Sequence, residues 1–126
     1  MTTVLVVEDE PNIRKLVSVN LISRGYLVLE ATNVPQALEH LRSVTPDLMI
    51  LDIKLPEITG WDLLTQLATD PSMTANFPVV AMTASIVEAQ VDRDQYPNVV
   101  DILIKPFSTT RLLTAIERAL RSATAR

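Results

Sequence analysis

The stretch "LMILDIKLPEITG", residues 48–60, is a hydrophobic run that stops at a carboxylate. Leu48 to Leu51 suit a strand buried on both faces, and Asp52 then sets a charge at its end. Pro56 and Gly60 break the chain soon afterwards. A buried strand that delivers one aspartate to its own tip invites a search for what its neighbours deliver.

Four more apolar, Val- and Ile-rich segments read as strands: "TVLVVE" (3–8), "YLVLEA" (26–31), "PVVAMT" (78–83) and "VVDILI" (99–104). Of these five strands, four are apolar enough to be buried on both faces. Segments of helical character lie between them. Ile13, Leu16, Val17 and Leu21 share one helix face, with Pro11 in the first turn and Gly25 at the end. Asn33 caps a second helix carrying Ala37, Leu38 and Leu41. Residues 60–69 form a third, directed inward by Leu64, Leu67 and Ala68. Residues 85–95 are a weaker fourth, and 108–122 a fifth with Ser108 as cap and Leu113, Ile116 and Leu120 inward. Residues 122–126 are expected to fray. Fivefold strand–helix alternation predicts an α/β fold, a doubly wound parallel sheet with helices on both faces.

The rest of the composition narrows the chemistry. The 126 residues suit a single domain, 1–126, and 48% hydrophobic with 21% charged is an ordinary globular balance. A net charge of −4 gives no reason to expect direct nucleic-acid binding. Arg111, Arg118, Arg121 and Arg126, against Glu117 alone, read as a solvated helix face. With no cysteine and one histidine, thiolate zinc, disulfides and polyhistidine metal sites are excluded. "TTVLVVEDE" lacks the charged leader of a signal peptide, and no apolar run approaches the roughly 20 residues of a membrane span. The expected location is cytoplasmic, with no membrane contact.

Sites in such sheets gather at the carboxyl ends of strands, where strand order reverses. There the first strand delivers Glu8 and Asp9, the third Asp52, the fourth Thr83 and the fifth Lys105. The second delivers only Ala31 and Thr32, which places it at an edge and gives the order 2-1-3-4-5. Three carboxylates together repel one another without a cation, and oxygen-only ligands favour a hard ion such as Mg²⁺. A hydroxyl and an ammonium facing that ion suit a phosphoryl group, for which a carboxylate can be the nucleophile.

Taken together, "VLVVEDE", "LMILDIKLPEITG", "VVAMTA" and "IKPF" resemble the receiver domain of two-component response regulators, in order and spacing, from about residue 3 to about 122. The resemblance implies a flavodoxin-like (βα)5 fold. It implies that Asp52 accepts a phosphoryl group from the phosphohistidine of a sensor histidine kinase or histidine phosphotransfer protein. Asp9 would be a direct Mg²⁺ ligand (Mn²⁺ substituting), Glu8 would act through water, and Lys54 would offer its backbone carbonyl. Thr83 matches the switch hydroxyl, and Lys105 its partner, held by a cis bond to Pro106. Lys54 and Ser85 would border the path of the hydrolytic water, so a long side chain at 54 is expected to alter the phosphoryl lifetime. Two positions depart from the pattern: Ile102 stands where the family usually has an aromatic switch ring, and "QYPNVV" replaces a glycine-containing turn.

The expected protein is a self-phosphorylating switch without an external substrate. Its output would pass through helix 4, strand 5 and helix 5 to a downstream partner or a second copy. A haloacid-dehalogenase-type phosphohydrolase would want an acid where Lys54 stands, and a flavin carrier a hydroxyl- and glycine-rich loop where "EDEPN" stands. A degenerate receiver that works unphosphorylated is disfavoured by the intact acidic set. His40 and Trp61 read as an exposed helix residue and a packing residue.

Overall fold

The computed structural model describes residues 1–70, 76–90 and 93–124. Its elements are β1 (Thr3–Val7), α1 (Pro11–Ser23), β2 (Leu27–Ala31), α2 (Val34–Ser43), β3 (Leu48–Asp52), α3 (Gly60–Thr69), β4 (Val79–Thr83), α4 (Ile86–Ala89), a 3₁₀ turn (Arg93–Gln95), β5 (Val99–Ile104) and α5 (Thr109–Thr124). The five strands are parallel and run β2-β1-β3-β4-β5, the flavodoxin-like order that the strand-end residues require.

Alternation along the central strands builds two apolar layers. Leu5, Val7, Met49, Leu51 and Ala81 face one side, where Ala37 of α2 and Trp61, Leu63 and Leu67 of α3 cover them. Val4, Val6, Leu48, Ile50, Val80 and Met82 face the other, under Val17 and Leu21 of α1 and Leu112, Ala115, Ile116 and Ala119 of α5. β1, β3 and β4 are thereby buried along almost their whole length. Three strands rather than the expected four are buried on both faces: β5 is an edge, partly exposed and ending on exposed Ile104, and β2 is the other edge.

Local signals set the helix ends. Pro11 opens α1 and the Glu10 side chain caps it, accepting from the amides of Asn12 and Ile13. At its far end Gly25 has φ +84°, its amide bonding Ile22 O (2.9 Å) and that of Tyr26 bonding Leu21 O (3.2 Å). That left-handed closure satisfies the last carbonyls, and glycine adopts it without a Cβ penalty. Asn33 caps α2 as expected, and Thr59 and Asp62 form a capping box on α3.

Several helix faces turn out differently from the periodicity. Leu16 is 43% exposed on α1, which packs through Val17, Ser18 and Leu21 instead. On α3 the inward positions are Trp61, Leu63 and Leu67, with Ala68 outside. On α5 they are Leu112, Ala115, Ile116 and Ala119, the alanines letting the helix sit close to the sheet, while Leu113 and Leu120 are only partly buried. The fourth helix is far shorter than 85–95: α4 spans Ile86–Ala89, its Ile86 and Val87 are exposed and none of its residues is buried. With no apolar stripe to dock, little holds a longer helix there. α5 remains helical to Thr124, past the expected onset of fraying at 122, and residues 125 and 126 lie outside the described residues.

Gly60 sits close against the backbone at the sheet's carboxyl edge. A Cβ there would lie 2.7 Å from Asp52 O and 3.0 Å from Ile53 Cα. Its amide also bonds Ile53 O at 2.7 Å. Gly60→Ala is therefore expected to destabilise the fold by about 1–3 kcal/mol, the usual range for overpacking, measured as a lower urea midpoint at unchanged slope.

Candidate functional site

The ladder between β1 and β2 runs one residue past the strand, with Glu8 N donating to Ala31 O at 3.0 Å. This pins Glu8 at the sheet's carboxyl edge with its side chain fully buried. Asp52 ends β3 and is 3% exposed, held by register against Met82 and by Ile53 N donating to Met82 O. On β5's far end Lys105 N donates to Thr83 O at 2.8 Å, and the Lys105–Pro106 peptide is cis.

Lys105 joins the two buried acids. Its Nζ donates to Glu8 Oε1 at 2.6 Å and to Asp52 Oδ2 at 3.2 Å. The other Asp52 oxygen accepts from Lys54 N at 3.2 Å, and Glu8 Oε2 from Glu10 N at 3.4 Å. Asp9 is exposed, yet one oxygen each from Glu8, Asp9 and Asp52 lie within 4.8 Å of one another. Three converging carboxylates with no nitrogen or sulfur donor fit a hard divalent cation, and the one ammonium present balances only part of their charge.

Thr83 is buried at the end of β4, but its hydroxyl is turned to its own loop: Oγ1 accepts from Ser85 N at 3.0 Å and faces Ser85 O at 3.4 Å. Ser85 Oγ in turn caps α4, accepting from Glu88 N. The structure thus gathers Glu8, Asp9, Asp52 and Lys105, places Thr83 and Ser85 on the adjoining loop, and leaves Thr83's hydroxyl on backbone partners. The Lys54 side chain is exposed, and its backbone bridges to Thr59. Ile102 is half-buried and packs on the α2–α3 side of the sheet. His40 is half-buried rather than exposed, its Nε2 2.9 Å from Glu30 O.

Two features escaped the sequence. Arg14 NH1 donates to Glu8 O at 3.0 Å and reaches Asp9 O at 3.5 Å, while its Nε donates to Glu30 Oε1 at 3.1 Å. Only the length of an arginine one turn past an acidic loop could have hinted at this. Trp61 is a packing residue as read, and it also ties α3 to α4: Nε1 donates to Glu88 O at 3.1 Å, and its ring meets Tyr96 with centroids 4.7 Å apart. Sequence spacing carries no signal for that contact.

Burial pushes the Glu8 carboxyl up to about 8, and neighbouring Asp52 adds to the rise against the pull of Lys105. Burial opposes the Lys105 ammonium, but its hydrogen bond to Glu8 and the charge on Asp52 outweigh it and hold the amine above the ordinary lysine range. Glu8 therefore binds its proton more tightly folded than unfolded. In EDTA, its contribution to stability is full below pH 4.5 and is lost as pH rises through about 8. Urea unfolding should show that decline between pH 5 and 8.5, and Glu8→Gln should flatten it.

The sequence model of the response regulator receiver domain matches residues 4–117. Over 119 residues the chain is 34% identical to the phosphate regulon transcriptional regulatory protein PhoB of Pseudomonas aeruginosa, covering 94% of this chain and 52% of that protein. It is 34% identical over 125 residues to the transcriptional regulatory protein KdpE of Mycobacterium tuberculosis, covering 99% and 54%. The chain thus spans about half the length of these curated relatives. Among solved structures, response regulator protein TrrA from Thermotoga maritima in complex with Mg(2+)-BeF superposes with a TM-score of 0.79 at 29% identity, covering 95% of this chain and all of that one. A matching sequence model, these relatives and a shared strand order converge: the chain belongs to the response regulator receiver domains of two-component systems.

Proposed function

We propose that Asp52 accepts a phosphoryl group from the phosphohistidine of a partner sensor histidine kinase or histidine phosphotransfer protein. The observation that carries this reading is the Lys105 ammonium bridging Asp52 and Glu8 within a three-carboxylate cluster. An Asp52 carboxylate oxygen forms the new P–O bond, and the P–N bond to the donor imidazole breaks, its nitrogen keeping the electron pair and taking a proton. Glu8, Asp9, Asp52 and the Lys54 carbonyl would hold Mg²⁺, or Mn²⁺ in its place, which supplies positive charge to the phosphoryl oxygens. Lys105 neutralises a further oxygen, and the Lys54 amide, already on Asp52 Oδ1, keeps the carboxylate oriented.

On this reading the chain turns over no external substrate beyond slow loss of its own phosphoryl group, and it works in the cytoplasm. Among the described residues no helix is long and apolar enough to cross a membrane. The switch would begin when the Thr83 hydroxyl leaves Ser85 for the phosphoryl group. Ser85 caps α4, and Glu88 of α4 accepts from Trp61, so a shift of this loop reaches the indole through two hydrogen bonds. That route does not need an aromatic at Ile102. Output would follow through α4, β5 and α5 to a downstream partner or a second copy.

Incubation with acetyl phosphate and Mg²⁺ should add the mass of one phosphoryl group, and EDTA or Asp52→Asn should abolish the gain; an equal gain in Asp52→Asn overturns the assignment. The emission of Trp61, the single tryptophan, should change on phosphorylation in the wild type and change little in Thr83→Ala. A full response in Thr83→Ala would break the proposed link between the hydroxyl and α4.

A further inference from the structure

We propose that Arg14 is a positioning residue for the cation site, fixing the backbone of the acidic loop between β1 and α1. This rests on the metal-binding reading above and adds a residue to it. Arg14 is the fourth residue of α1, and helical side chains lean toward the helix N-terminus. Its guanidinium therefore runs back along the helix to the carbonyls of Glu8 and Asp9, six and five residues earlier, at 3.0 and 3.5 Å. Glu30 on β2 holds the same guanidinium from the other side, through Nε at 3.1 Å. The Arg14 side chain is 20% exposed, so this clamp is partly shielded from water.

The loop needs such a clamp for an electrostatic reason. Glu8 is held by burial and by Lys105, but Asp9 is exposed, and no hydrogen bond to its carboxylate is found among the described residues. Facing two other carboxylates within 4.8 Å, it is repelled by them unless a cation balances the cluster. Rotation of the Asp9 peptide would carry its side chain away, and that rotation would break the bonds Arg14 makes to both flanking carbonyls. The guanidinium serves Glu30 through Nε and the two carbonyls through NH1, two nitrogens held a fixed distance apart; a lysine carries its three donors on a single nitrogen and loses that spread.

Arg14 also places a positive charge near a cation site, which by itself weakens cation binding. Positioning and charge therefore predict opposite signs, and Mn²⁺ affinity, read from the EPR signal of free Mn²⁺, separates them. Arg14→Gln is expected to bind Mn²⁺ roughly tenfold more weakly, the low end of losses seen when residues orienting metal ligands are removed. Arg14→Lys keeps the charge and loses the fork, so it should bind at least as weakly and decides the matter even if Arg14→Gln does not fold. In both variants, phosphorylation by acetyl phosphate should recover at saturating Mg²⁺, which general damage to the fold would not allow. Wild-type affinity in Arg14→Lys, or tighter binding in Arg14→Gln, would overturn the proposal alone. Absence of Mn²⁺ binding by the wild type would instead overturn the metal reading beneath it.

Discussion

One ammonium between two buried carboxylates organises the carboxyl edge of this sheet. Lys105 Nζ reaches Glu8 and Asp52 from the far end of β5, across β4 and β3. Removing either partner from such a buried arrangement leaves an uncompensated charge, which is far costlier than the intact set. The parallel register brings the three side chains level, and that register is fixed by apolar residues buried on both faces of β1, β3 and β4. Core packing and site geometry are therefore one constraint: a slip of one residue in β3 would exchange the side chains packed in its two layers and move Asp52 off the level of Glu8 and Lys105.

The same charge set explains why the site suits a cation. Lys105 supplies one positive charge against three acids, and burial already drives Glu8 toward its neutral form. Proton and divalent cation are alternative ways of relieving the same repulsion. A phosphoryl group added to Asp52 would bring more negative charge, which only a cation and Lys105 together could balance. The surrounding backbone is arranged to hold these groups still. Lys54 N is on Asp52, Gly60 leaves no room for a side chain beside the Asp52 carbonyl, and Arg14 grips the loop of Glu8 and Asp9.

Much of this is legible in the sequence. The strand order followed from which strands end in chemistry and which, in β2, ends in Ala31 and Thr32. Asp52, Glu8, Asp9 and Lys105 were readable because each closes or directly follows an apolar run, where parallel strands must bring their ends together. Helix rotation was less legible. Leu113 and Leu112 both fit an inward stripe on α5, and only the small Ala115 and Ala119 beside Leu112 decide which face approaches the sheet. The truncation of α4 hid for a related reason: Ile86 and Val87 look like core residues by composition but have no layer to join. Thr83's present hydrogen bonds, the Arg14 clamp and the Trp61–Glu88 link depend on contacts between distant segments or on one rotamer, and no periodicity encodes either.

On the proposed function, Asp52 presents its carboxylate to a tetrahedral phosphoryl-like group only when a divalent cation joins Lys105 in balancing the charge. The most direct measurement is the fluorine NMR spectrum of the protein with beryllofluoride, with and without Mg²⁺. Bound resonances, distinct from free beryllofluoride, should appear only with Mg²⁺ and be absent in Asp52→Asn. Bound resonances that persist without Mg²⁺ or in Asp52→Asn would contradict that function.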